Sequence, residues 1–311
     1  MQIPALIVDS FRESLDRKIF WVMLAVSLVV AAAMSCVGFA PGMVDVFFGS
    51  WRIETDVFTV GGELRTDLIA TVAVDYILDT VVGSIGTILA LIATAGFFPA
   101  MLERGAIEVV LSKPIARWKL FLGRYFGAMM FVLVHATVFV ASTFLVLGLR
   151  WGTWMPAYLL CIPLMVLLFS YLYCVSALAA VWSRSATAAI VLSLGAWVFF
   201  AGVQGIDDCF ILYPKLAEHQ RGHVLATTAR WMVPKTQDLI YNAKRWTRAA
   251  GGMELVPASA SATADPELLR GAARVEQARL EIPAYQTIGS SLLSEAAIVL
   301  LAMWKFSRRD Y

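Results

Sequence analysis

Charge is what this sequence has least of. Asp, Glu, Lys and Arg make up 15% of its 311 residues, where a soluble globular domain carries about 25%. Hydrophobic residues fill the deficit at 59%, against roughly 45–50% in soluble domains. That balance excludes an ordinary water-soluble fold and a disordered chain, and the surplus apolar surface requires lipid as its solvent. The net charge of +2 gives no global basic field to attract nucleic acid. Cysteine is also sparse: four in this length build no disulfide scaffold. Cys36, Cys161 and Cys174 fall in apolar runs and Cys209 in a polar stretch. They read as packing residues, because a disulfide needs a partner within reach.

Motifs that carry chemistry are missing as well. No G-x-x-x-x-G-K-S/T stretch occurs, so this chain does not cradle a nucleotide phosphate itself, and no G-x-G-x-x-G opens a helix. Ser84, in Val82-Gly83-Ser84-Ile85-Gly86, lacks the first glycine of a nucleophile elbow and has no convincing histidine partner. His219 and His223 are four apart and could share a helix face, but zinc takes three or four ligands. The nearest thiol is Cys209 and no H-E-x-x-H exists, so surface histidines are the favoured reading. Aromatic residues fall within the apolar runs and at their edges, as an interfacial belt does, and form no stacking platform for bases. The expectation is a protein with no catalytic residues, metal or cofactor of its own.

What the chain does have is long charge-free runs, and about 18 or more such residues suit a membrane-spanning helix. Lys18 and Asp45 bracket one, centred on Ile19–Phe39; Asp79 and Glu103 bracket the second. Arg124 and Arg150 bracket the third, interrupted only by His135. The fourth reads as Ala157–Val181, the fifth as Ala186–Val203, and the weaker sixth as Thr287–Trp304 with Glu295 inside it. The first run is too long for a signal-peptide core and lacks a small-residue cleavage site. Before it, Ile3, Ile7, Phe11, Leu15 and Ile19 recur every four residues, which predicts an amphipathic helix in the membrane interface. The predicted fold is an all-α membrane protein of six transmembrane helices, with this interfacial N-terminal helix and an extracytoplasmic, mainly helical insertion.

The basic residues set the orientation. Arg12, Arg17, Lys18, Arg104, Lys113, Arg117, Lys119, Arg124, Arg184, Lys305, Arg308 and Arg309 fall on the side of the termini, while the short opposite loops hold Arg52, Arg65 and Arg150. The positive-inside rule puts both termini in the cytoplasm of a cell (plasma or inner) membrane protein, and long loops escape the rule. Residues 1–203 then form spans one to five, including an extracytoplasmic insertion at 40–78 and a cytoplasmic segment at 103–124. Residues 204–286 are a second extracytoplasmic insertion, and 287–311 carry span six and the C-terminus. Within 40–78, Trp51–Val60 alternates enough for a short strand and Asp67–Leu78 suits a helix. Within 204–286, Thr236–Ala250 reads as a helix with Thr236 as its N-cap, and Gly251–Ala264 as a small-residue linker. Asp265-Pro266-Glu267 starts a further helix running to about Glu281. A folded cap and a solvated loop both remain open for this segment.

The stretch Glu103–Gly127 reads ERGAIEVVLSKPIARWKLFLGRYFG. Ser112-Lys113-Pro114 breaks a short amphipathic helix, and Ile115–Leu122 begins a basic helix that re-enters the bilayer. Gly123 and Gly127 form a small-xxx-small pair that lets another helix approach closely. The pattern of Glu103, Gly105, Glu108, Leu111, Ser112, Pro114, Ile115, Arg117, Phe121, Gly123, Arg124, Tyr125 and Gly127 resembles the segment between spans two and three of ABC-2 type permeases. The ending Phe306-Ser307-Arg308-Arg309-Asp310 resembles that family's ending. The motif covers about 25 residues, while the likeness in layout covers most of the chain; the 204–286 insertion is longer than the plain family pattern.

The resemblance implies the permease subunit of an ATP-binding cassette transporter. It would pair with a second permease subunit, as a homodimer or heterodimer, and bind cytoplasmic ATPase subunits that hold the ATP and Mg. Glu103, Gly105, Glu108, Leu111, Ser112, Pro114 and Arg117 would belong to the coupling segment that docks on the ATPase. The work done would be export, or membrane release, of an unidentified substrate. A second reading is an ATPase-coupled membrane anchor whose extracytoplasmic region binds a partner protein. An ion-coupled carrier would show several intramembrane charges and repeated broken helices, which this chain does not. Glu295 lies about 15 Å along a helix from Lys305, and His135 at a similar depth from Arg124. An acid there is costly and marks a candidate functional site. It would face a dimer cavity or pair with His135, unless span six is shifted and Glu295 lies near the headgroups.

Overall fold

The computed structural model describes residues 2–40, 43–54, 59–60, 63–64, 76–102, 115–152, 154–213, 220–250 and 266–308. α1 (Gln2–Asp16) and α2 (Lys18–Ser35) are split at Arg17, whose extended backbone (φ −79°, ψ 127°) ends the first helix. Trp21 Nε1 donates to the Leu15 carbonyl at 3.1 Å across this corner. The first apolar run ends as helix at Ser35, short of the expected Phe39, because the following residues pair as a sheet. β1 (Val37–Ala40), β2 (Met43–Val46) and β3 (Trp51–Glu54) are antiparallel, with Val37 opposite Val46 and Val44 opposite Ile53. β4 (Thr59–Val60) and β5 (Glu63–Leu64) make a second small pair. The strand expected over 51–60 is thus two separate strands, and the helix expected at Asp67–Leu78 lies mostly outside the described residues.

Span two begins as a π-helix, Ile77–Gly86, and continues as α3 (Thr87–Thr94) and α4 (Phe97–Met101). α5 (Arg117–Arg150) is 34 residues long and begins before the expected Arg124, since its basic first turns are continuous with the apolar run. A 3-10 turn, Pro156–Leu160, leads into α6 (Cys161–Ser183). Arg184 closes α6 in the left-handed region (φ 55°), a position that Gly usually takes. Ser185 Oγ then accepts from the Ala188 amide to cap α7 (Ala186–Leu212). α8 (Gln220–Met232), α9 (Thr236–Ala250), α10 (Pro266–Glu281) and α11 (Ala284–Arg308) complete the order.

Six helical stretches are long and apolar enough to cross a membrane: Lys18–Ser35, Gly83–Met101, Arg117–Arg150, Pro156–Ser183, Ala186–Leu212 and Ala284–Arg308. The all-α, six-span architecture therefore stands, with the short strands as its one departure among the described residues. α5 and α6 lie at its centre, packed against α1, α2, α7 and α11. Phe98, Phe121, Tyr125, Tyr173 and Phe306 make a chain of ring contacts in the core, with Phe121 and Tyr125 stacked. The outer faces of α2, α7 and α11 keep exposed apolar side chains such as Val29, Val198 and Leu293, as lipid or a partner subunit requires.

Candidate functional site

The end of the bundle that carries both termini is tied to α5. Gly123 and Gly127 sit under α1: a Cβ on Gly123 would fall 2.7 Å from Leu6 Cβ. Ser10 of α1 is buried and lies over Gly127, as Leu6 lies over Gly123. Glu13 forms ion pairs with Arg124 of α5 and Arg17. Burial alone would raise the Glu13 pKa, but Arg124 and Arg17 outweigh it and hold the carboxyl below its ordinary value. Arg117 Nη1 donates to the Ser307 carbonyl at 3.1 Å, joining the first turn of α5 to the last turn of α11. Of the expected coupling residues, Arg117 is thus placed; Glu103, Gly105, Glu108, Leu111, Ser112 and Pro114 lie outside the described residues.

Glu295 is buried, 8% exposed, on α11. Its Oε1 accepts from Tyr125 Oη at 2.7 Å, and its Oε2 from Ser170 Oγ at 3.1 Å. The acid therefore joins α5, α6 and α11 at one point. Tyr125 directly follows Arg124, so the acid lies in the half of the bundle toward the termini. His135 is elsewhere. Its Nδ1 lies 2.8 Å from the Phe131 carbonyl and its Nε2 3.0 Å from the Phe20 carbonyl, against α2. The expected pairing of Glu295 with His135 is replaced by these separate contacts, because His135 faces α2 whereas Glu295 meets α5 at Tyr125 and α6 at Ser170. Tyr171 and Tyr173 follow Ser170 on α6, and the Tyr173 hydroxyl is buried without a hydrogen-bond partner among the described residues.

The opposite end is organised by charges the sequence reading passed over. Arg230 of α8, 4% exposed at its side chain, pairs with Asp207 at 2.8 Å, Asp208 at 3.1 Å and Asp238 at 2.8 Å. Arg279 of α10 pairs with Asp208. Burial disfavours the Arg230 charge, but Asp238, Asp207 and Asp208 more than offset that and raise its pKa above the ordinary guanidinium. This pairing explains why α7 continues past Val203 to Leu212: its two acids are neutralised rather than left at a span end. Gln204 accepts from the Gln237 amide at 3.0 Å. Lys235 donates its amide to Ser291 Oγ at 3.0 Å and its ammonium to Ser290 Oγ at 2.8 Å. Burial pushes the Lys235 pKa down to about 8, with Asp238 opposing and Arg230 reinforcing. Thr236, expected as an N-cap, is instead the first residue of α9, with its Oγ1 buried and unpartnered.

Within 204–286 the described residues thus form packed helices. The clue in the sequence was Asp207-Asp208 closing an apolar run, with Arg230 and Asp238 spaced for a neighbouring turn. On the same side Arg150 pairs with Asp45 and donates to the Ser35 carbonyl at 3.3 Å. No cluster able to hold a metal occurs among the described residues. His223 packs on Phe210, and His219 lies outside them. All four cysteines are free.

A polytopic helical bundle with buried polar ties between its spans is the class of protein these features define: a multi-pass membrane protein. Its family is given by a sequence profile described as ABC-2 family transporter protein, which matches residues 5–311; the chain belongs to that family. Members are membrane components of ABC transporters, are generally not catalytic themselves, and generally work with ABC ATPases. No curated protein matches the sequence significantly.

Proposed function

We propose that the chain is the permease subunit of an ABC transporter that couples ATP hydrolysis by a separate ATPase subunit to export or membrane release of a substrate. The family match over residues 5–311 is the observation that carries this. ATP and Mg would be held by the partner, which docks on Glu103–Arg117 from the cytoplasm. The tied end of the bundle supports that docking role. Arg117 is bonded to α11 and the following turns of α5 to α1, so a push on the segment moves three helices as one body. The Lys and Arg excess at the termini supports a cytoplasmic position for that end in a cell membrane.

A second permease subunit would sit against α7. Gly195, Gly202 and Gly205 have nothing within 4 Å of where a Cβ would point, and Val198 and Phe199 between them are exposed. Such a row admits a close helix approach. The deciding experiment is co-purification with candidate ATPase subunits, followed by ATPase assays in vesicles over a substrate panel. Loss of binding or of stimulation on replacing Glu103–Arg117 supports the reading; no ATPase bound by the intact chain sinks it.

The alternative is an ATPase-coupled anchor that passes motion to an extracytoplasmic protein. The Arg230 ties favour it to the extent that they fix α8, α9 and α10 rigidly to α7. Under that reading ATPase activity responds to an extracytoplasmic protein and to no small molecule in the panel.

A further inference from the structure

Between α2, span two, α5 and α6 lies a cleft of about 140 Å³. An apolar cavity of about 150 Å³ takes up a group the size of benzene. Val30 of α2, Leu89 of α3, and Ala136 and Phe139 of α5 are among its walls, and Ala136 is 1% exposed. Its lips are Val26 and Ile85, 41% and 50% exposed. Val26 is eight residues into the Lys18–Ser35 helix, about 12 Å from its start. The mouth therefore opens near the middle of span one, at the level of lipid tails and away from headgroups.

Two polar side chains also line the cleft, Ser27 and His135. Ser27 Oγ donates to the Met23 carbonyl at 3.0 Å. Both ring nitrogens of His135 lie against backbone carbonyls, those of Phe131 and Phe20. The Ser27 hydroxyl proton is therefore committed and the His135 nitrogens face the backbone, so neither residue offers a free donor to an occupant. The cleft thus offers a mainly apolar wall without a free donor, and a space of this kind does not hold water. The π-helix Ile77–Gly86 ends at the cleft, and π-helical turns recur at functional sites.

We propose that this cleft binds one acyl chain of a bilayer phospholipid, entering between span one and span two past Val26 and Ile85. The size fits part of a chain, the mouth opens among chains, and the lack of a free donor favours a tail over a headgroup. This site is separate from any contact with an ATPase, so its test stands or falls independently of the permease reading.

The test uses the full chain in phosphatidylcholine vesicles doped with a phosphatidylcholine bearing a mid-chain diazirine. After irradiation, adducts are mapped by peptide mass spectrometry. Leu293 and Leu300 of α11, both exposed, report ordinary lipid contact. The expected result is labelling of the buried wall at Ala136 and Phe139, at a yield comparable to or above that of Leu293 and Leu300. Ile85→Trp, at the exposed lip, and Ala136→Phe, in the floor, should each cut Phe139 labelling at least several-fold and leave Leu293 unchanged. If Ala136→Phe fails to give a monodisperse protein, Ile85→Trp alone decides. Absence of adducts on Ala136 and Phe139 in the wild type overturns the proposal, as does Phe139 labelling unmoved by Ile85→Trp.

Discussion

A Cβ placed on Gly127 of α5 would fall 2.5 Å from Ser10 Cβ of α1. No side chain fits there unless α1 moves. Gly127→Ala gains about 1 kcal/mol of helix propensity but overpacks the contact, which costs about 1–3 kcal/mol. The expected net result is a lower melting temperature in detergent and faster protease cleavage of α1. A variant more stable than wild type would mean that α1 does not rest on Gly127.

Replacing Glu295 by Gln swaps an acceptor oxygen for a donor nitrogen facing Tyr125 or Ser170. Leaving one such buried group unsatisfied costs about 1–3 kcal/mol. Tyr125→Phe should cost less, and the double variant should fall short of additivity by about 0.5–3 kcal/mol. Thermal unfolding of the four proteins checks this. Transport assays on the same set check the functional role: unchanged transport and unchanged stability in Glu295→Gln would remove it from both.

Arg230→Met leaves Asp207 buried without its cation and Asp238 with only Arg279, at 3.8 Å. Breaking a buried pair in this way costs about 3–5 kcal/mol. The loss should be local, seen as faster hydrogen exchange across α8, α9 and α10 while α5 and α6 stay protected. Uniform exchange across all helices, or none altered, would contradict a network that holds the cap.

Lys235 gives a pH prediction. Its folded pKa of about 8 lies below the ordinary 10.5, so the unfolded chain binds the proton more tightly. This group's cost to the fold is full below about pH 8 and is relieved as pH rises toward 10.5. Between those values Lys235→Met should show a smaller rise in stability with pH than the wild type. Parallel curves for the two proteins in melting experiments from pH 7 to 10 would refute the burial of Lys235.

Cys209 is exposed and lies fourteen residues, about four turns, beyond Gly195 on α7. If a second copy packs on the glycine row, mild oxidation should cross-link Cys209 across the pair in a chain whose other cysteines are Ala. A disulfide needs Cα atoms within about 7 Å, so cysteines scanned from 205 to 209 cover the register. Gly202→Leu should weaken the link. No cross-link at any scanned position would move the second subunit to another face.

The sequence made some of these contacts readable and hid others for definable reasons. Apolar length alone located the six spans, because lipid imposes it. The spacing of Gly123 and Gly127 announced a close helix approach but not its partner, and α1 proved to be that partner. Glu295 stood out as a costly acid. Its donors Tyr125 and Ser170 lie 170 and 125 residues away, and spacing along the chain does not report neighbours between helices. Asp207, the first charge after the fifth apolar run, reads as its end, whereas Arg230 neutralises it inside a helix that runs on to Leu212. The motif residues from Glu103 to Pro114 fall outside the described residues, and their role rests on the family pattern.

α5 contains no proline and, at 34 residues, is about 51 Å long, well beyond the roughly 30 Å of hydrocarbon it crosses. Arg117 holds one end against Ser307 and Arg150 holds the other against Asp45. Near its middle, Phe131 and His135 bear on Phe20. A helix without a proline kink that bears on a point near its centre has the layout of a seesaw. In that layout a small inward swing at one membrane face would become an outward swing at the other.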